Sequence, residues 1–256
     1  MHLEPWQFAL GIVAAILIGL AKTGIPGTGI LMVPIMAQVF GGRLSVGATL
    51  PLLIFADIFA VAYYHQHAKL DKLRQLGPWV LLGIVLGTVF LKVLGDSHTS
   101  KDLLNPVIGI IVLVMLGVSL ARTRMGDKLA PHSRVGTWGT GAIAGFTTMV
   151  SNAAGPVMAI YFTSMGLTKY QFMGMSAWYF FIFNLTKVPF LVWLTLDNPA
   201  EPLITVETLK FDLLMAPVVV IGALLGRYLL PRFSQKAFDL TVLVLAAAAA
   251  IRLIFS

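Results

Sequence analysis

A chain of 256 residues with 58% hydrophobic and only 11% charged residues is not an ordinary soluble domain, whose charged fraction is about twice as high. Its formal net charge of +7 lies in short stretches between apolar runs, where membrane topology accounts for it, so no nucleic-acid partner is inferred. The lack of cysteine excludes disulfides, thiolate metal sites and cysteine nucleophiles, and His65 and His67 do not share a helix face; no metal or other cofactor is expected.

The apolar stretches are long and do not alternate, which predicts membrane helices rather than barrel strands of about ten residues each. The first residues lack the basic charge of a signal peptide, and the first apolar run ends in Lys22-Thr-Gly rather than at a small-residue cleavage site, so this run is expected to be retained. In chain order the segments fall at approximately 7–22, 29–40, 45–65, 76–94 and 103–121, then 136–150, 155–166, 170–194, 209–230 and 236–255. The expected fold is an all-α polytopic membrane protein with five hydrophobic segments in each half. In segments 1, 2, 6 and 7 the uninterrupted apolar part is only about 11–15 residues, against the roughly twenty a spanning helix needs. These are expected to be broken or re-entrant half-helices.

The halves correspond residue by residue. Gly19, Gly29 and Met32 stand at one constant spacing from Gly145, Gly155 and Met158. One inserted residue later, Gly47 and Asp57 match Gly174 and Asn184, and after a longer second-half loop Pro78, Gly83 and Gly87 match Pro217, Gly222 and Gly226. The reading is an internal duplication: 1–121 as first membrane repeat, 122–135 as linker and 136–256 as second repeat. If every segment crosses, one side receives Lys22, Lys69, Lys72, Arg74, Arg122, Arg124, Lys128, Arg134, Lys169, Arg232 and Lys236, while the other has little beyond Arg43, Lys101 and Lys210. The positive-inside rule makes the first side cytoplasmic and both termini periplasmic, so the repeats are inverted, as in many secondary transporters.

Two interruptions stand out, Gly19-Leu-Ala-Lys-Thr-Gly-Ile-Pro-Gly-Thr-Gly29 and Gly145-Phe-Thr-Thr-Met-Val-Ser-Asn-Ala-Ala-Gly155. A helix entered from Gly27-Thr28-Gly29, or from Ser151-Asn152 through Gly155, starts with unpaired amides and the positive end of its dipole, which suits an oxyanion. Thr28, Ser151 and Asn152 add neutral donors; the competing reading is an ordinary helix break. Lys187 lies deep in segment 8, one helix turn from Asn184, so both side chains are expected to meet one ligand unless Lys187 forms a structural ion pair or snorkels to the surface. Asp57, near the middle of segment 3, is expected either to bind a coupling proton or to hold Lys187. Gly83 and Gly87, with Gly222 and Gly226, are read as packing positions, and so is the aromatic run Trp178-Tyr-Phe-Phe181.

With these residues in view, the chain resembles the sulfite exporter TauE/SafE family of membrane proteins. The resemblance rests on the Gly-rich opening followed by Pro34, on Ser151-Asn-Ala-Ala-Gly-Pro-Val-Met-Ala-Ile-Tyr161, and on Trp178-Tyr-Phe-Phe-Ile-Phe-Asn-Leu-Thr-Lys-Val-Pro189. It implies transport of small sulfur-containing anions, sulfite or organosulfonates, across the bacterial inner membrane. Two dipole ends, neutral donors and a buried lysine independently suit a compact anionic substrate. The expectation is an alternating-access transporter in the lipid bilayer, with a homodimer left open. The rivals are an anion channel and an intramembrane enzyme or assembly factor; no H-E-x-x-H, G-x-S-x-G or Walker motif supports an enzyme.

Overall fold

The computed structural model describes residues 4–25, 28–96, 104–125, 134–163, 165–229 and 251. Among these residues regular structure is helical throughout: α1 (Pro5–Thr23), α2 (Gly29–Phe40), α3 (Gly42–Ala48), α4 (Leu50–Tyr64), α5 (Leu70–Asp96), α6 (Leu104–Met125), α7 (Arg134–Ser151), α8 (Gly155–Thr163), α9 (Lys169–Asp197) and α10 (Val206–Leu229). The tenth apolar segment and most of the linker at 122–135 lie outside the described residues.

Among the described residues five stretches are long and apolar enough to cross a bilayer, namely Pro5–Thr23, Gly42–His67, Leu73–Gly95, Tyr170–Asp197 and Val206–Leu229. The chain is a polytopic helical membrane protein. Its outward faces are correspondingly apolar, with Leu82, Leu86, Val89 and Val93 exposed along α5 and Leu213, Leu214, Ile221 and Leu224 along α10. Starts and stops follow local chemistry. Pro5 opens α1 where its missing N–H costs nothing, and Thr168 and Gln171 exchange hydrogen bonds across the first turn of α9 in a capping box.

The short segments divide differently from the sequence expectation. With 12 and 9 residues, α2 and α8 extend about 18 and 14 Å at the usual rise, well short of a hydrocarbon core roughly 30 Å thick. By contrast α1 runs for 19 residues and is long and apolar enough to cross, while α7 runs for 18. Lys22 and Thr23 prolong the first apolar run instead of ending it, because Lys22 finds a carboxylate and the Thr23 hydroxyl bonds Gly19 O and Ala223 O at 3.1 and 2.6 Å. Segment 3 is likewise split, at Thr49, into α3 and α4.

Glycine decides how the long helices pack. A Cβ at Gly83 or Gly145 would strike the facing backbone between α5 and α7, one at Gly19 or Gly222 the backbone between α1 and α10, and one at Gly226 the Thr23 hydroxyl. Such close approach is the role of small residues in membrane helix pairs. Contacts advance in the same sense along both members of each pair, so α1 and α10 run parallel, as do α5 and α7. Between these pairs α4 and α9 pack antiparallel: Gly174 of α9 lies against Tyr64 O, while Asn184, further along α9, reaches back to Asp57 of α4. The two breaks, α1 to α2 and α7 to α8, flank this central pair.

Candidate functional site

At the first break, Gly24 N–H and Ile25 N–H both donate to Leu20 O, at 3.0 and 2.9 Å, closing α1 before the chain re-enters helix at Gly29. At the second, Asn152 adopts φ 57°, the left-handed conformation that asparagine tolerates better than most L-residues. Its position is held on two sides, Nδ2 donating to Val46 O at 3.1 Å and Oδ1 accepting from Lys187 Nζ at 2.6 Å. Each break therefore sends a helix N-terminus, α2 or α8, toward the middle of the molecule.

Between them lies a cavity of about 80 Å³ lined by Lys22, Gly29, Thr148, Asn152, Gly155, Ser176, Phe180 and Asn184, with Ile18, Met32, Leu53, Phe172 and Met173 among its apolar walls. At roughly 10–15 Å³ per water it admits several waters or one compact anion. Gly155 is open to it: a Cβ there would meet nothing within 4 Å, and one at Gly29 only Ala21 Cβ at 3.4 Å. In the first turns Leu31 N–H is taken by Thr28 O at 3.1 Å and Pro156 has no N–H; the positive dipole ends of α2 and α8 still favour negative charge.

Charged groups gather along one side. Lys22 Nζ lies 2.8 Å from Asp57 Oδ1 and 3.9 Å from the centroid of the Phe180 ring, with its side chain 10% exposed and that of Asp57 fully buried. The second oxygen of Asp57 accepts from Asn184 Nδ2 at 2.7 Å. Lys187 donates to Thr148 O, Thr148 Oγ1 and Asn152 Oδ1 at 3.1, 3.2 and 2.6 Å, which uses all three ammonium protons on neutral acceptors.

Of the residues singled out from sequence, Gly29, Asn152, Gly155 and Asn184 line this cavity. Gly27 lies outside the described residues. Thr28 does not line it; its hydroxyl donates to Ile25 O at 3.1 Å. Ser151 donates to Thr147 O and borders a separate small void against Ser45 and Thr49. Lys187 is behind the wall, acting on the cavity through Thr148 and Asn152. The expected Asp57–Lys187 pairing is replaced by Asp57–Lys22, because the last turn of α1 packs across α4 and brings Lys22 nearer than the α9 lysine.

Compared with known families, the chain matches the model described as Sulfite exporter TauE/SafE over residues 8–253. The chain belongs to the sulfite exporter TauE/SafE family. No curated protein and no solved structure matches it. Membership in TauE/SafE makes the chain a membrane transport protein, and the cavity is where this TauE/SafE chain brings the Lys22 ammonium and both helix breaks together. Sequence reasoning missed Lys22, Thr148 and Phe180 as cavity groups. The topology rule counts Lys22 as a loop charge; the signal pointing inward is its place in the glycine-rich break, at the register that Thr148 occupies in the second interruption of this TauE/SafE chain.

Proposed function

We propose that the protein is a secondary transporter that moves a small sulfur-containing oxyanion, sulfite or an organosulfonate, across the bacterial inner membrane by alternating access. The observation that carries this reading is a single cavity bordered by both helix breaks and by the ammonium of Lys22. The α2 and α8 amide ends, Asn152 and Asn184 supply neutral polar contacts, and Lys22 supplies the attractive charge in a poorly hydrated site. Lys187 positions the second break by fixing Asn152 and Thr148.

The mechanism draws support from the arrangement of the halves. Asp57 and Asn184, equivalent positions in the sequence repeat, hydrogen-bond to each other across antiparallel α4 and α9. Two equivalent positions touch when they lie near a two-fold axis, and an axis in the membrane plane is the symmetry of inverted-repeat transporters. On this reading residues 1–121 and 136–256 form the two repeats, the termini are periplasmic, and rocking of the parallel pairs α1–α10 and α5–α7 around α4–α9 exposes the cavity alternately. Export fits the family's description.

Purified protein in proteoliposomes preloaded with unlabelled sulfite should accumulate labelled sulfite transiently by counterflow, with saturation. Saturable uptake with no counterflow, or a non-saturating conductance, would replace alternating access by a channel. Absence of any sulfite or sulfonate flux would remove the transport reading.

A further inference from the structure

The buried charges around the cavity do not cancel. In their ordinary charge states Lys22 on α1 and Lys187 on α9 bring two cations and Asp57 on α4 one carboxylate, and the other groups reaching the site from α2, α7, α8 and α9 are neutral: backbone amides, Thr148, Asn152, Ser176 and Asn184. Asp57 is committed to Lys22 and Asn184. Lys187 faces only neutral oxygens. Among the described residues one positive charge is therefore left without a counter-charge, in a region where little water reaches to screen it.

We infer that this cavity is built for a singly charged anion, and that Asp57 sets that valence. The inference deepens the anion-site reading above and rests on it. A monoanion such as a sulfonate or hydrogen sulfite brings the buried cluster to neutrality. A dianion of the same shape leaves it with a net negative charge, and its second charge must be desolvated next to the Asp57 carboxylate through the shared Lys22. The apolar walls agree with a head-and-tail monoanion: Ile18, Met32, Leu53, Phe172 and Met173 offer no donor to a second anionic group. Asp57 thus acts at one remove, as a positioning and valence-setting residue and not as a ligand.

Methanesulfonate and sulfate serve as probes, because both are compact tetrahedral anions that differ by one charge. Binding of each to the purified full-length protein in nanodiscs is measured by calorimetry and by shifts in thermal unfolding. Wild type should prefer methanesulfonate. Since sulfate is also the more strongly hydrated ion, the deciding quantity is the change in the ratio of the two affinities when Asp57→Asn raises the cluster charge by one. The ratio should move toward sulfate by on the order of tenfold or more, because the dianion gains about twice what the monoanion gains. An unchanged ratio in folded Asp57→Asn protein would overturn the inference, whereas binding of neither probe by wild type would overturn the underlying anion site. If Asp57→Asn does not fold, Lys22→Gln carries the test: it removes one cation and should weaken sulfate more than methanesulfonate, and equal weakening would equally refute the valence rule.

Discussion

Gly155, which lines the cavity, and Lys187, behind its wall, answer differently to substitution. At Gly155 a side chain has free space toward the cavity and no backbone to strike, so Gly155→Leu should fold and unfold thermally like wild type while losing anion binding by at least about tenfold. Retained affinity in a folded Gly155→Leu protein, measured by calorimetry, would take the α8 amide end out of the site. Lys187→Met has another consequence: three polar acceptors lose a charged donor, at a cost of roughly 2–4 kcal/mol in stability. Because Asp57 is paired with Lys22 and not with Lys187, adding Asp57→Asn should not restore that stability. A thermal-unfolding comparison of the single and double variants decides this, and full rescue would mean that Asp57 and Lys187 are the true pair.

Among the helices, contact type and not glycine content as such predicts tolerance. Gly222 of α10 abuts the backbone of Ile16, and Gly83 of α5 abuts that of Ala142 and Phe146, whereas a Cβ at Gly139 of α7 would meet nothing within 4 Å. Gly222→Leu or Gly83→Leu must push two long helices apart along a whole interface, so folded yield after size-exclusion chromatography should collapse. Gly139→Ala should leave that yield unchanged or higher, since alanine is the better helix former. Equal yields for all three would contradict the parallel glycine-mediated pairing. The small helices follow a different logic: α2 and α8 are too short to span, and on the proposed function it is their N-terminal ends and not their lengths that matter.

For the whole molecule the testable quantity is orientation. The loop at His65–His67 and the loop around Ala200 are exposed and belong to opposite ends of the antiparallel α4–α9 pair. Removing Lys22 from the loop charges leaves the asymmetry standing, because Lys69, Lys72 and Arg74 still follow the first of these loops while Asp197 and Glu201 flank the second. Since the chain has no cysteine, single replacements can be labelled cleanly. An impermeant thiol reagent added to intact spheroplasts should modify Ala200→Cys at once and Gln66→Cys only after permeabilisation; the opposite pattern would reverse the topology.

The sequence by itself determined the solvent, the helix class and the two breaks, because bulk hydropathy and the placement of Gly and Pro act locally and are written position by position. It also marked Asn152, Gly155, Asn184 and the intramembrane charges as unusual, since a polar group in a bilayer needs a reason. Only the tertiary structure decided which charges meet. Along the chain Lys187 is the partner that Asp57 suggests and Lys22 reads as a loop charge; the pairing instead falls to the last turn of α1, which packs across α4 at that level. The same holds for Thr28 and Ser151, whose hydroxyls turn to nearby carbonyls once the helix ends are in place. A hydroxyl's donor goes to the nearest properly aligned acceptor, and that acceptor becomes known only when the chain has folded around it.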